Sequence, residues 1–409
     1  MTGPASAQTA ADAVRRVRVR VVWVLSLGQI LGGVAFGATI SLGAVLAADI
    51  SGDEALSGLA TAFITLGAAA LAVPLAAAAR RRGRRLALAS GMSLALAGVG
   101  VVILAAAVRS FPLLLGGFAL IGAGQAANLQ SRFAATDLST DTSRARDLSV
   151  VVWATTIGAV LGPNLVGPGE ALGDAIGMPP LTGPYLFTVV AQLLGIGLYL
   201  VALRPDPLLL AQQIVRAAGA TGPRIARTDR PVAARYAILT VAAAHGVMVS
   251  VMAMTPIHLV HHGETLNIVG LSISLHVAGM YALSPVFGIL ADRVGRVATI
   301  LLGQVLLIAA LLTASFGEAS TAAVTVGLIL LGLGWSATTV AGSALLTETS
   351  SEDHRTRRQG RSDLAMNLVG ALGAILAGVV LGGIGYGGLA LCALGIVAVV
   401  VVLAPLARR

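Results

Sequence analysis

Apolar stretches that recur along the chain constrain its fold more than any other sequence feature. A helix of about 20 apolar residues crosses the ~30 Å hydrocarbon core of a bilayer. Twelve such stretches can be counted, starting near Val21, Ala55, Leu86, Phe111, Leu148, Tyr185, Tyr236, Leu266, Val297, Thr321, Leu364 and Leu389. The first is too long to be the core of a cleaved signal peptide. The sequence therefore predicts an all-α membrane protein with twelve transmembrane helices, whose first partner is the lipid bilayer.

The charged residues are few and lie between the apolar stretches. Only 11% of the 409 residues are charged, and all 27 basic residues are arginine. Nucleic-acid-binding proteins concentrate basic residues on one folded face, so no nucleic-acid partner is expected here. If both termini are cytoplasmic, every arginine except Arg109 falls on the cytoplasmic side, in agreement with the positive-inside rule. We predict a multi-pass protein of the plasma (inner) membrane with both termini in the cytoplasm.

A polar, proline-containing segment divides the chain into two blocks of six spans. The predicted division is an N-terminal half (1–203), a cytoplasmic linker (204–234) and a C-terminal half (235–409). Within each half, the connection after the second span repeats a glycine between arginines, at Gly83 and at Gly295. These glycines are about half the chain apart, which indicates a parallel duplication of a six-span unit.

The segment from Gly288 to Arg296 resembles the loop motif of the major facilitator superfamily. Its marked positions are Gly288, Asp292, Arg293, Gly295 and Arg296. In the first half Ala76 and Arg80 stand where the glycine and the aspartate of the motif belong, so the gating role is expected only of the second-half motif. The resemblance implies two pseudo-symmetric six-helix halves, transport by alternating access, and an inner gate at the second-half motif. It implies a monomeric transporter, not an enzyme, with no catalytic residues.

Span 5 carries a second motif, formed by Gly158, Gly162 and Pro163. It resembles the span-5 motif of the superfamily's antiporters, although its trailing glycines are displaced. Small residues four positions apart let helices approach closely, and proline kinks a helix. We interpret the motif as a helix-packing site.

No carboxylate falls inside a predicted span. Every Asp and Glu is expected at a span end, including Asp363 on the inner side, just before the span that starts near Leu364. Proton-coupled cation exporters commonly place a carboxylate within a helix, where burial makes it a functional group. The sequence therefore argues against cation export.

Histidine and methionine concentrate in spans 7 and 8. Met248 and Met252 are spaced i, i+4 on span 7, and His276 and Met280 have the same spacing on span 8. His245 falls on the same predicted face as the span-7 methionines. Thioether and imidazole ligands suit Cu(I) and discriminate against hard ions. The alternative, that the methionines only fill helix packing, stays open.

These two pairs resemble the motifs of the CcoA-like family of copper importers. The resemblance implies copper as substrate, with Met248, Met252, His276 and Met280 as ligands and His245 as a further ligand or proton carrier; no resident cofactor is expected. His258, His261 and His262, at the predicted outer end of span 7, form either a metal entry site or a solvated loop. The family has riboflavin-transporting relatives, so an organic solute, either a drug or a vitamin, is the alternative substrate. Members carry additional cysteines, whereas this chain has Cys392 alone.

Overall fold

The structure, a computed structural model, describes residues 4–53, 56, 58–140, 142–219, 229–264 and 266–408. Within these residues every regular element is helical. In chain order the helices are α1 (Pro4–Ser51), α2 (Leu59–Arg82), α3 (Arg84–Ala107), α4 (Phe111–Ala134), α5 (Arg144–Asn164), α6 (Val166–Ala175), α7 (Tyr185–Ala202), α8 (Pro207–Gly219), α9 (Pro231–His261), α10 (Leu266–Tyr281), α11 (Ser284–Arg293), α12 (Arg296–Phe316), α13 (Thr321–Glu348) and α14 (Glu352–Val402), followed by a 3₁₀ turn at Ala404–Arg408. The predicted all-α class is confirmed.

Among the described residues, ten helical segments are long and apolar enough to cross a membrane. The 51-residue α14 is long enough to cross twice, at 1.5 Å per residue, and its backbone leaves helical geometry at Gly385 with φ of 75°. Helix α5, which opens on Arg144, Arg146 and Asp147, supplies one more crossing of 21 residues. Counting α14 twice and adding α5 makes twelve crossings in the described part of the chain.

The helices form two bundles. The first bundle consists of α1 to α5 with α7, and the second of α9 to α14. Small residues bring helices together within each bundle: an added Cβ at Gly122 of α4, for example, would overlap the α2 backbone at Ile64. Such contacts stabilise helix packing in lipid, where apolar burial alone does not favour one helix neighbour over another.

The turns after the second span of each bundle lie on the same face of the molecule. Gly83 joins α2 to α3 and Gly295 joins α11 to α12, with φ of 88° and 115°, a region that favours glycine. Arginines surround both turns, so we call this side the basic face. Helix α5 ends at Asn164, directly after Pro163, and the chain resumes as α6 at Val166.

The predicted linker contains a helix of its own, α8, and α9 begins at Pro231, inside the predicted 204–234 segment. Residues 220–228 lie outside the described residues. Next to them, Asp229 accepts two hydrogen bonds from the guanidinium of Arg358, at 2.7 and 2.8 Å, and one from the backbone N–H of Ser351. These bonds attach the end of the linker to the start of α14.

Candidate functional site

A cavity of about 120 Å³ lies between the two bundles. Its walls come from both halves of the chain, as the predicted site of a duplicated transporter requires. The lining includes Gln29, Phe36, Gln125, Asn128, Arg132 and Thr155 from the first bundle, and His245, Met280, Tyr281, Trp335 and Met366 from the second.

Aromatic rings form much of the second-bundle wall. Trp335 donates a hydrogen bond from Nε1 to Nδ1 of His245 at 3.1 Å. The neutral imidazole therefore carries its proton on Nε2, since a nitrogen that accepts cannot also donate. Tyr281 packs edge-on against Trp335, with ring centroids 5.8 Å apart. These contacts fix the orientation of the indole at the cavity.

Amide side chains form the facing wall. Gln29 donates to Thr155 Oγ1 at 3.0 Å and accepts from Ser131 Oγ at 2.8 Å. Gln125, one helix away, has a buried Oε1 with no hydrogen-bond partner among the described residues. A buried acceptor without a partner costs about 1–3 kcal/mol. A solute with an N–H or O–H group in the cavity would remove that cost.

Arg132, which lines the cavity, forms a buried ion pair with the second bundle. Arg132 Nη2 lies 2.6 Å from Asp363 Oδ1, and the exposed fractions of the two side chains are 3% and 0%. The sequence predicts Asp363 at the inner end of a span, just before Leu364. In the structure α14 begins at Glu352, so Asp363 lies within this helix. Its burial against Arg132 was not predicted, because charges that precede an apolar stretch usually mark a span end.

The predicted copper ligands do not all line the cavity. His245 and Met280 line it. Met248 and Met280 belong to one buried hydrophobic cluster, which also contains Trp335 and Tyr386, and Met252 packs against that cluster. His276 is fully buried outside the cavity lining; its Nδ1 donates to the Leu328 carbonyl at 2.7 Å, and its Nε2 has no partner among the described residues.

The outer histidines interact mainly with backbone and aromatic groups. His258 Nε2 lies 2.8 Å from the Glu318 carbonyl, and the ring stacks on Tyr386 with centroids 4.2 Å apart. His262 Nδ1 bonds to the carbonyl of His258, while His261 is exposed. Across the part of the chain that the structure describes, no three His, Cys, Asp or Glu side chains are grouped so as to hold a metal.

The second-half loop motif joins the two bundles at the basic face. Asp292 accepts from the backbone N–H groups of Ala145 and Arg146, at 3.1 and 2.9 Å, and so caps the N-terminus of α5. Arg296 holds this carboxylate at 2.9 Å. Of the other motif residues, Gly288 packs so closely on α5 that an added Cβ would overlap Ser149, and Arg293 is exposed at the end of α11.

The first-half counterpart reaches the same closure with different residues. Ala76 packs against Gly360 of α14. A Cβ added at Gly360 would overlap the Ala76 side chain. Arg80 lines a surface pocket with Glu352 and Asp353, so the charges are reversed relative to the second half. Other side chains complete this contact: Arg84 lies 2.9 Å from Asp137 and donates to Gln359 of the second bundle at 2.6 Å.

The span-5 motif lies between α5 and α1. A Cβ added at Gly158 would lie 2.6 Å from the Ile30 carbonyl oxygen and 2.7 Å from Gly33 Cα. Gly33 itself lines the cavity. Gly162 follows one turn later on α5, near the end of the helix at Asn164.

Comparison with known proteins identifies the family of this chain. A family model described as Major Facilitator Superfamily matches residues 25–275 and 236–409. The uncharacterized MFS-type transporters YddS and YdeG of Bacillus subtilis are each 37% identical, over 87% and 88% of this chain and 83% and 85% of theirs. The riboflavin transporter RfnT of Brucella anthropi is 31% identical over 88% of each chain.

Solved structures share the fold at low identity. The human organic anion transporter MFSD10 (TETRAN) superposes with a TM-score of 0.77 at 18% identity, covering 95% of this chain and 99% of that one. FucP in the outward conformation superposes with a TM-score of 0.68 at 14% identity, over 96% of this chain and 100% of its own. With its two-bundle fold, its cavity between bundles and these matches, the chain belongs to the major facilitator superfamily and is a secondary transporter.

Proposed function

We propose that this transporter carries a flat, hydrogen-bonding organic solute of the riboflavin type through the cavity between the bundles. The observation that carries the proposal is the pairing of an aromatic wall with an amide wall across one cavity. The monovalent copper ion predicted from sequence becomes the second candidate.

Aromatic residues are scarce in this chain, and one of each type lines the cavity. The chain has 8 Phe, 5 Tyr and 3 Trp, and Phe36, Tyr281 and Trp335 all line the cavity. A flat heteroaromatic solute gains stacking energy from such rings. The low overall aromatic content of the chain therefore does not argue against a flat substrate, because three aromatic rings lie at the cavity itself.

The amide wall supplies complementary hydrogen bonding. Gln125 offers an unpartnered acceptor, and Gln29 and Asn128 offer further amide groups beside it. A ring system that carries carbonyl and N–H groups at its edge matches this mixture of donors and acceptors. A bare cation, in contrast, would meet the guanidinium of Arg132 in the same cavity.

The size of the cavity sets a requirement for movement. Sites for drug-sized ligands usually measure about 300–1,000 Å³, whereas this cavity measures about 120 Å³. One ring fits, and a whole flavin requires the bundles to separate. Alternating access by rocking of the bundles supplies that separation. Each chain contains the complete cavity, so a monomer suffices.

The riboflavin transporter RfnT, at 31% identity over most of both chains, supports the same solute class. Riboflavin is therefore the first solute to test. From the positive-inside rule we further propose that the protein lies in the inner membrane with the basic face and both termini in the cytoplasm. Reporter fusions at the C-terminus and in the loop after α3 would test that orientation.

The test is riboflavin binding to purified protein, followed by quenching of flavin fluorescence. Trp335→Leu removes the indole from the cavity, and stacking on an aromatic side chain is worth about 1–3 kcal/mol. We expect a loss of affinity of about tenfold or more. Trp153→Leu, which alters a tryptophan that is 41% exposed on α5, is the matched control and should bind as wild type does. Equal affinity in all three proteins would refute the proposal.

Copper is retained as a second candidate because of His276. A metal-ligating histidine usually donates its other ring N–H to a carbonyl or carboxylate, which fixes the tautomer. His276 has this arrangement: Nδ1 donates to Leu328 and Nε2 is buried without a partner among the described residues. Met280 follows one turn later and lines the cavity. A copper path through His276 and Met280 is consistent with this geometry.

Cu(I) titration of the same purified protein separates the two candidates. If copper is the substrate, His276→Gln abolishes binding, and His262→Gln, at an exposed position on the outer loop, leaves it intact. If the wild-type protein binds riboflavin and does not bind Cu(I), the organic solute is supported and the copper candidate is refuted. Binding of Cu(I) that is indifferent to His276 also refutes the copper path.

A further inference from the structure

A pocket on the basic face, separate from the transport cavity, is lined by four arginines. It measures about 220 Å³ and lies where α9 and α14 begin. The charged side chains of its lining are Arg235 of α9 and His354, Arg357, Arg358 and Arg361 of α14. Two neighbouring helices therefore direct their cationic side chains to one concave surface, which we call the arginine pocket.

The positive charge of the arginine pocket is only partly balanced. Asp229 lies beside it, and both carboxylate oxygens accept hydrogen bonds from Arg358. The other three arginines of the pocket are exposed and have no ion-pair partner among the described residues. Residues 220–228, which precede Asp229 in the sequence, contain no Asp or Glu. Four arginines and one carboxylate leave the pocket with a net positive charge.

The acidic residues at the start of α14 belong to a different pocket. Glu352 and Asp353 line a second surface pocket together with Arg80 of α2 and Arg216 of α8. Glu352 also holds Arg355 at 2.8 Å. The first turns of α14 thus separate their charges, with carboxylates toward α2 and α8 and arginines toward α9. The partial positive charges at the N-termini of α9 and α14 add to the attraction for an anion in the arginine pocket.

An apolar surface continues from the arginine pocket along both helices. On α14, Leu368, Leu372 and Ile375 follow Arg361 at i+7, i+11 and i+14, a spacing that places them on the same helix face. All three are exposed, and so is Leu239, one turn after Arg235 on α9. Exposed apolar side chains of membrane-crossing helices face the acyl chains of lipids. The pocket therefore lies directly beside a lipid-facing surface.

We propose that the arginine pocket binds the phosphate group of an anionic phospholipid, whose acyl chains lie along the exposed leucines of α9 and α14. The planar guanidinium group donates two parallel hydrogen bonds to phosphate oxygens. Basic pockets between membrane helices hold anionic headgroups at the cytoplasmic surface in this way. Free phosphate would meet the same arginines but would gain nothing from the apolar surface. The proposal holds whichever solute is transported.

The test measures binding to the full-length protein in a non-ionic detergent by isothermal titration calorimetry. The probes are short-chain phosphatidylglycerol, short-chain phosphatidylcholine and inorganic phosphate. We expect phosphatidylglycerol to bind at least about tenfold more tightly than phosphatidylcholine, because each arginine near the headgroup favours the net negative charge. Equal affinity for the two lipids would overturn the proposal. Inorganic phosphate that binds as tightly as phosphatidylglycerol would overturn the lipid as its ligand and identify a site for free anions.

Arg357→Gln combined with Arg361→Gln tests the site itself. Both side chains are exposed, so the double variant should fold and melt as the wild type does. It should lose affinity for phosphatidylglycerol by about tenfold or more. The matched control is Arg81→Gln with Arg82→Gln, which removes the same charge from exposed positions at the end of α2. The control should bind phosphatidylglycerol as the wild type does. An equal loss in both double variants, or no loss in the first, would refute the assignment to the arginine pocket.

Discussion

Gly158→Ala measures how closely α1 and α5 approach beside the cavity. The added methyl would lie 2.6 Å from the Ile30 carbonyl oxygen and 2.7 Å from Gly33 Cα. Carbon atoms normally approach to about 3.5–4.0 Å. Both neighbours are backbone atoms, which cannot rotate away as a flexible side chain would. The two helices must therefore separate by about 1 Å.

The expected magnitude follows from two opposing contributions. Overpacking of a well-packed interior costs about 1–3 kcal/mol, while replacing glycine by alanine favours the helix by about 1 kcal/mol. The net loss is about 1–2 kcal/mol if overpacking lies in the upper part of its range. In a chain of this size that corresponds to a fall in melting temperature of about 2–5 °C.

The assay is thermal unfolding of the detergent-purified protein, followed by size-exclusion chromatography after heating. Gly100→Ala on α3 is the matched control, because a Cβ there would meet nothing within 4 Å. It should melt at or slightly above the wild-type temperature. A Gly158→Ala protein as stable as the Gly100→Ala control would show that α1 and α5 are not in the close contact described.

Three further predictions concern other parts of the molecule. Asp292→Asn should weaken the cap on α5 and increase the open population at the basic face, measured as the distance between spin labels at the exposed positions Arg81 and Val294 in a protein that also carries Cys392→Ser. The Arg358 guanidinium lowers the pKa of Asp229 from 3.8 to about 2. The ionised Asp229 carboxylate therefore stabilises the folded protein fully above about pH 4, and this stabilisation is lost as the pH falls towards 2. Asp229→Asn should accordingly melt below wild type at neutral pH, with the difference closing over that range in thermal scans. Met248→Leu should leave any Cu(I) affinity unchanged, because Met248 lies outside the cavity lining, whereas Met280→Leu should lower it, because Met280 lines the cavity; Cu(I) titration measures both.

The sequence predicted the crossings well because hydropathy reports directly on lipid. Apolar runs located ten helical segments and, with α5 and the break in α14, the twelve crossings. The repeated glycine turns also identified the two related halves. The closeness of α14's two crossings was not predicted, since a single residue, Gly385, takes the place of a loop.

The cavity was predicted only in part, and the reason is orientation. Helical spacing put His245, Met248 and Met252 on one face, but it does not say which face borders the cavity and which borders other helices. His245 reaches the cavity, whereas Met248 packs in a buried hydrophobic cluster outside the cavity lining. Arg132 and Asp363 were predicted at the cytoplasmic ends of their spans, and only their contact across the bundles shows that they are buried.

The two loop contacts at the basic face differ in where the small residue stands. In the second half the glycine is Gly288 of α11, facing Ser149 of α5, whereas in the first half it is Gly360 of α14, facing Ala76 of α2. What the fold requires is a limit on the combined volume of two facing side chains, and either helix can meet it. A sequence motif that considers one helix at a time marks the first half as defective. The two facing positions, taken together, still allow α2 and α14 to approach closely. Covariation between facing helices is therefore a better criterion for an intact gate in duplicated transporters than either motif alone.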